Sequence, residues 1–384
     1  MTPTTLTASA ISVPFTATDS AFREAWNAAL ARSRFDHLHQ SYEWAVLKQQ
    51  FGWEVEFLAV PQQGEPAVGA LVLAKPLAGG LLRVATVSGG PFWLPGEEGR
   101  LPELFALLVD HCRRKRIVLC RIHMPCPVED FEPLATYLPP SCVHLPHVWT
   151  YWNPPRPIMV LDIRGTVEET LARMHHKTRY RHRTALRRGV SVVEDRSAGV
   201  EEFSRLMREM ARRKKIPVRE PGYFKAVLEA FGPGRSALLM ARHEGRVLGG
   251  QLVVCAGRRA YALYAAAEHA GNLNPSEALD VATIEWAKEK GCEALDLGGT
   301  CTNWPPSPED KGYGVYDYKR RLGAATILLA PYLDLAPQPV FYRIARLAED
   351  ILLPLVVETG WGRFRVIYER LRAGNKVRSR SVEV

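Results

Sequence analysis

From Glu54 the chain alternates apolar and polar positions as EVEFLAV, turns at PQQGE, resumes as AVGALVLAK, and after a Gly turn runs on as RVATVSGGP. Period-two alternation broken by Gly-containing turns predicts consecutive β-hairpins. A helical stretch over 101–116 and a strand-like IVLCRIHM from Ile117 follow. The same grammar returns later: SALLMAR, a turn at HEGR, VLGGQLVVC, a turn at AGRR, AYALYAAA, a helical stretch over 275–290, and EALDLGG. Hairpins, then a helix, then a strand predict a mixed α/β sheet. Its recurrence predicts a tandem duplication, with a first unit over 1–153, a second over 154–330, and a boundary in the Pro-rich WNPPRP of 152–157.

The second unit carries an added front end. IMVLDI (158–163) reads as a strand, and Thr166 with Glu169 forms a capping box for a helix that runs to Gly189, after which VSVVED resumes as strand. A further stretch over 205–219 also reads as helical. Near the C-terminus, apolar residues at 340, 341, 344, 347, 348, 351 and 352 keep a helical period until Pro354, and Phe364, Ile367 and Leu371 begin another turn or two. Residues 331–384 are therefore expected as helices packed on the first unit. A basic amphipathic helix lying on a membrane surface is the sharper alternative.

A length of 384 residues favours two domains, and 47% hydrophobic with 24% charged residues is the composition of a globular protein. No charged-then-apolar leader and no window of ~20 apolar residues can be read, so the expected location is cytoplasmic, at the inner face of the membrane if the basic tail binds there. Seven cysteines without a CxxC fit a reducing compartment. Cys120, His123, Cys126, Cys142 and His144 match no standard zinc spacing, so no metal is expected and the thiols read as buried. The net charge of +9 is concentrated: Arg173 to Arg188 holds seven Lys or Arg and three His in sixteen residues, with no acidic residue. Such a run repels itself until an anion meets it, and polyphosphate, nucleic acid or anionic lipid is the natural partner.

No nucleophile elbow, catalytic triad, Walker loop or dinucleotide fingerprint is present. Arg320 to Ala325 fits the loose R-x-x-G-x-A pattern that holds the coenzyme A pyrophosphate in acetyltransferases. That pattern works at a helix N-terminus after a strand. Here helix-like sequence precedes it and strand-like ATILLA follows, so it reads as coincidence.

Eight segments then occur in a fixed order: HQSYEWAVLK (39–48), SGGP (88–91), KTRYRHRTALRRGV (177–190), REPGYF (219–224), YALYAAA (261–267), NPSEALDVATIEWAKEKG (274–291), LDLGG (295–299) and YDYKRRLG (316–323). In these, from about residue 36 to 345, the chain resembles the FemABX aminoacyltransferases. The resemblance implies two tandem acetyltransferase-like (GNAT) domains with mixed sheets, in the compact form, since 205–232 leaves no room for the coiled-coil arm of longer members. It also implies transfer of an amino acid, glycine or alanine, from aminoacyl-tRNA to a side-chain amine in the stem peptide of a peptidoglycan precursor. The acceptor is UDP-linked or lipid II, and neither metal nor organic cofactor is needed because the ester is already activated. A monomer is expected.

The same resemblance assigns residues. Lys48 matches a lysine that helps bind the precursor. Arg219 and Tyr223 match a pair that holds its nucleotide phosphates, work suited to the planar guanidinium fork. Tyr264 matches a tyrosine lining that site, and alternation puts it on one face with the small Ala262 and Ala266. Tyr318–Lys319 matches an aromatic–lysine pair near the reacting centre, where a cation stabilises the oxyanion formed as the amine attacks. Asp296 orients the neighbouring loop or caps a strand. Where family members carry an acidic residue as a possible base, this chain has His123, which can accept a proton near neutral pH or serve structure alone. The basic residues Lys177, Arg179, Arg181, Arg183, Arg187 and Arg188 are the expected contacts to the tRNA acceptor arm. Two rivals stand: a coenzyme-A-dependent N-acyltransferase on the same fold, and a non-catalytic RNA- or membrane-binding protein.

Overall fold

The structure, a computed structural model, describes residues 11–14, 20–145, 157–214, 216, 218–300, 304–310, 312–347 and 349. The WNPPRP boundary up to residue 156 and the helical expectation beyond Pro354 lie outside the described residues. In chain order the first half comprises β1 (Ile11–Pro14), α1 (Ser20–Arg32), α2 (Tyr42–Gln50), β2 (Glu54–Gln62), β3 (Glu65–Leu77), β4 (Leu82–Ser88), β5 (Phe92–Trp93), α3 (Leu101–Arg114), β6 (Ile117–His123), α4 (Val128–Ala135) and β7 (Cys142–Leu145). The second comprises β8 (Pro157–Asp162), α5 (Val167–Arg173), α6 (His176–Arg187), β9 (Ser191–Glu194), α7 (Gly199–Lys214), α8 (Pro221–Phe231), β10 (Ser236–His243), β11 (Arg246–Ala256) and β12 (Arg259–Ala267). It continues with α9 (Pro275–Glu289), β13 (Ala294–Gly299), α10 (Tyr313–Arg321), β14 (Ala325–Leu328) and β15 (Tyr332–Leu335).

The two sheets are variations on one plan. The first runs β1-β2-β3-β4-β6-β15-β7 and the second, read in the same direction, β9-β10-β11-β12-β13-β8-β14. Among the described residues each contains one parallel pair at the same place, β4 with β6 and β12 with β13, because a helix-bearing connection separates those strands. The hairpins are closed by left-handed pairs, Gln63–Gly64 between β2 and β3 and Glu244–Gly245 between β10 and β11, in which glycine takes the second place without steric cost. The sixth strand of the first sheet, β15, arrives from beyond the second sheet, antiparallel to β6 and β7. The two halves are thereby interlocked through the chain itself.

They are also joined by packing. One apolar core takes Phe22, Trp26, Tyr42, Trp44 and Phe57 from the first half and Phe203, Tyr223, Phe224 and Leu252 from the second. Glu43 on α2, 1% exposed, binds Arg23 at 2.7 Å and Arg235 of the second half at 3.1 Å, so its buried charge is met from both sides. The Tyr261 hydroxyl accepts the Leu38 amide at 3.1 Å across the same junction.

Three expectations are corrected. The basic run does not continue the capping-box helix: the Thr166/Glu169 box is present, but α5 stops at Arg173. Met174, extended and buried in the second core, breaks the helix, and the His175 ring starts α6 by accepting the Lys177 amide. The helix expected over 205–219 is α7, which ends at Lys214, so Arg219 lies in the connection leading to the Glu220 N-cap of α8. The helix over 339–347 does not bury its apolar stripe: Val340, Ile344 and Leu347 are 60–70% exposed and Phe341 is 45% exposed. Its polar side faces the first sheet instead. There buried Arg121 holds Asp334 of β15 at 2.7 Å and Glu349 at 2.7 Å, while the Tyr342 hydroxyl donates to Asp334 at 3.4 Å. A buried guanidinium already paired with one carboxylate can satisfy its remaining donors with a second, and that sets which face turns inward.

Candidate functional site

The motif HQSYEW is bound to the motif SGGP. Gln40 donates to the Ser88 carbonyl at 2.8 Å and accepts the Leu71 amide at 2.7 Å, and the Trp26 indole donates to the Gln40 carbonyl at 2.7 Å. Both glycines of SGGP are needed for this approach: a Cβ at Gly89 would lie 2.2 Å from the His37 ring, and one at Gly90 2.5 Å from the Gln40 amide. Ser41 then caps α2 by accepting the Trp44 amide at 3.2 Å, which aims Trp44 and, one turn later, Lys48 towards the second half.

There the first group of candidates assembles. The Lys48 ammonium lies 4.4 Å from the Trp44 ring centre and 5.8 Å from that of Tyr223 on α8. The Arg219 guanidinium lies 4.8 Å over the other partner of this cage, the same Tyr223 ring, and Tyr223 meets Tyr264 edge-on at 6.1 Å. Burial, with Arg219 and Lys75 nearby, lowers Lys48 to about 7. Lys48, Arg219, Tyr223 and Tyr264 thus come together from α2, the start of α8 and β12. The face expected for Ala262 is corrected. A bulge between Leu252 and Val253 of β11 lets Tyr264 pair with Leu252 and Ala262 with Val253, leaving Leu263 as the extra residue. Tyr264 and Ala266 therefore face the core shared by the two halves, and Ala262 faces the other side of the sheet.

Beneath Trp44 lies a set of imidazoles. His39 stacks on Trp44 at 4.3 Å and its ring contacts the Ser88 hydroxyl at 2.9 Å, while His37 packs edge-on against His39 at 4.7 Å. Burial, then Lys48 and His123, hold His39 down at about 3, and burial holds His37 well below its ordinary value. His123, at the end of β6 and fully buried, lies in electrostatic reach of His37 and His39 and packs 5.1 Å from Tyr332.

The second group sits on α10 and β13. Parallel pairing of β12 with β13 ends at Tyr261 and Asp296; Tyr264 and Gly299 each lie three residues further along. The Lys319 ammonium donates to the Gly299 carbonyl at 2.5 Å. Burial brings Lys319 down to about 8, against the opposing pull of Asp296 and Asp280. Asp296 is buried, accepts the Gly298 amide at 2.7 Å and lies 3.8 Å from Arg259, so it fixes the turn that presents Gly299. The Tyr318 hydroxyl donates to Asp280 of α9. Burial is the first cause that pushes Asp280 up to about 7, with Glu277 adding to it.

Beside these, α6 presents its cations outward. Lys177, Arg181, Arg183, Arg187 and Arg188 are exposed and Arg179 is half-buried. Arg179 donates to the Ala172 and Met174 carbonyls, each at 2.7 Å, Arg187 reaches Thr184 at 3.3 Å, and Arg181 pairs with Glu277 of α9 at 3.2 Å. Arg179 thus closes the end of α5. The end of α10 adjoins this surface, since the His175 amide donates to the Arg321 carbonyl at 2.9 Å. Arg320 and Arg321 lie at the C-terminus of α10 and lead into β14, so the R-x-x-G-x-A pattern has no helix N-terminus behind it.

Trp44, His39, Asp280 and Glu277 complete these groups without a motif assignment of their own. The signal for the last two was two carboxylates three residues apart on a helix otherwise apolar on its inner face.

Residues 172–320 match the acetyltransferase (GNAT) domain family. The chain is 29% identical over 148 residues to a UDP-N-acetylmuramoylpentapeptide-lysine N(6)-alanyltransferase of Weissella viridescens, covering 38% of this chain and 44% of that protein. It is 22% identical over 232 residues to a lipid II:glycine glycyltransferase of Staphylococcus saprophyticus, covering 44% of this chain and 55% of that protein. The chain spans about half the length of the curated relatives it matches. The crystal structure of FemX superposes with a TM-score of 0.76 at 19% identity, over 87% of this chain and 99% of that one. The matched acetyltransferase domain, the two-sheet architecture and the FemX superposition agree on a tandem acetyltransferase fold, and in sequence the chain is similar to these two transferases.

Proposed function

We propose that this protein is an aminoacyltransferase that moves glycine or alanine from aminoacyl-tRNA to a side-chain amine of a peptidoglycan precursor. The observation that carries the reading is the convergence of Lys48, Arg219, Tyr223 and Tyr264 from both halves. Two cations over aromatic faces suit a phosphate joined to an organic group, and Arg219 supplies the bidentate fork. Lys319, charged in most molecules at neutral pH and fixed by Gly299, is suited to stabilise the oxyanion that forms when the amine attacks the ester carbonyl. The C–N bond forms, the bond to the tRNA ribose oxygen breaks, and the leaving oxygen takes up a proton. The exposed cations of α6, with no sequence-reading geometry required, suit an RNA backbone. The named relatives act on UDP-linked or lipid-linked precursors, and that chemistry agrees with the pocket.

The outward apolar stripe of the helix over 339–347, with exposed Arg343 beside it, supports work at an anionic bilayer, where a lipid-linked acceptor resides. Co-sedimentation with phosphatidylglycerol vesicles, lost on replacing Phe341 and Ile344 by Ser, tests this; equal sedimentation of both proteins refutes it. The transfer itself is tested by incubating the protein with a mixed pool of charged tRNAs and both precursors, followed by mass spectrometry. One precursor gains the mass of a glycyl or alanyl residue. Tight acetyl-coenzyme A binding with indifference to charged tRNA would establish the rival acyltransferase instead.

A further inference from the structure

Amine attack on an ester needs a proton acceptor. His123 is fully buried, in electrostatic reach of His37 and His39. A carboxyl group lies in electrostatic reach of Lys319 itself. Asp280, on α9 and 9% exposed, accepts the Tyr318 hydroxyl, and Tyr318 is the residue next to Lys319. A phenol has one proton to donate; once it is given to Asp280, the phenol oxygen can only accept. We propose that Tyr318 and Asp280 act as one proton acceptor for the transfer, with Asp280 working through Tyr318 as its positioning and proton-storing partner. The proposal rests on the aminoacyl-transfer reading above.

The step balances without a further reactant. As the amine nitrogen forms its bond to the ester carbonyl carbon, its proton passes to the Tyr318 oxygen, and the Tyr318 proton passes to Asp280. When the tetrahedral intermediate collapses, the C–O bond to the ribose breaks and the same two protons move in reverse, delivering one to the ribose oxygen. Lys319 holds the oxyanion meanwhile and keeps its own protons.

The surroundings of Asp280 suit this role. Glu277 lies one turn away on the same helix, Tyr318 and Lys319 face it from α10, and Arg181 of α6 reaches it only through its 3.2 Å pair with Glu277. His182 of α6 donates to the Glu277 backbone. No cation among the described residues sits against Asp280 by a salt bridge, so burial dominates and leaves the carboxyl titrating near 7, where an acceptor both gains and returns a proton easily. The pair also links the RNA-facing helix to the reacting centre, because Arg181, Glu277, Asp280 and Tyr318 follow one another in contact or electrostatic reach.

Asp280→Asn, Asp280→Glu and Tyr318→Phe test it through the pH dependence of kcat/KM. Wild type should show an acidic limb near 7. Asp280→Asn and Tyr318→Phe should each lose about a hundredfold in kcat with the precursor KM retained, and the limb should vanish; Asp280→Glu should restore part of both. Infrared difference spectra between wild type and Asp280→Asn should show the carboxylic acid band fading near pH 7 without any turnover. An acidic limb that persists in Asp280→Asn, or a carboxylic acid band that fades below pH 5, overturns the proposal. Absence of transfer by the wild type from any charged tRNA would instead sink the aminoacyl-transfer reading and this proposal with it.

Discussion

Lys48 gives the sharpest consequence of the proposed precursor site. Burial and the nearby Arg219 and Lys75 bring its ammonium to about 7, against an ordinary 10.5. At about 1.4 kcal/mol per tenfold change in proton affinity, keeping it charged there costs about 5 kcal/mol relative to water. The sign follows directly. Between pH 7 and 10.5 the unfolded chain carries this proton and the folded one does not, so this group favours folding increasingly as pH rises through that window and opposes it below. A bound phosphate dianion reverses the balance by pairing with the ammonium. At pH 8 the free site is about one-tenth protonated, and a site returned to its ordinary value is almost fully protonated, so binding takes up about 0.9 proton. Calorimetric titration with the UDP-linked precursor, in two buffers of different ionisation enthalpy at pH 8, reads that number. Lys48→Ala should bring the uptake close to zero and weaken binding. Uptake below about 0.2 proton in the wild type, or unchanged uptake in Lys48→Ala, refutes the assignment of Lys48 to the phosphate site.

Three further outcomes follow from other parts of the molecule. Replacing Lys177, Arg183 and Arg188 by Ala should flatten the dependence of log tRNA affinity on log salt by about 2–3 with little change in the rate of bound complex, measured by filter binding and single turnover. Arg121→Met leaves Asp334, 0% exposed, without its guanidinium; urea unfolding should show a loss of about 3–5 kcal/mol, largely recovered by adding Asp334→Asn. Because Asp280 is raised from 3.8 to about 7, the folded state binds more protons than the unfolded one across that window and stability from this group falls as pH rises through it; Asp280→Asn should therefore melt higher than wild type at pH 8 relative to pH 4 while being slow in transfer.

The repeated hairpin–helix–strand grammar was legible because period-two alternation and Gly turns are local, and β2 to β6 and β10 to β13 follow it closely. The place of the sixth strand was not, since β15 enters the first sheet from some 200 residues away and nothing local marks it. The break at Met174 escaped because a methionine has good helix propensity; its docking in the second core overrides that preference. Ala262 was expected on the face of Tyr264 and Ala266 but lies on the other, because one bulge shifts alternation by a residue and no residue type announces it. The polar-inward helix over 339–347 has the same cause in reverse: its period was readable, but the buried partner Arg121 lies on β6. Lys48, Arg219 and Tyr223 were singled out by resemblance, and Asp280 required the structure, since only the fold brings α9 against Tyr318.

The proposed function turns on Lys319 as the cation that stabilises the oxyanion of the transfer. Its most direct test is single-turnover transfer by Lys319→Ala, alongside equilibrium binding of charged tRNA and of precursor to the same variant. The account predicts a fall of about 10²–10³ in the transfer rate with both dissociation constants within about threefold of wild type. A near-normal rate, or a loss explained wholly by weakened binding of either partner, would contradict it.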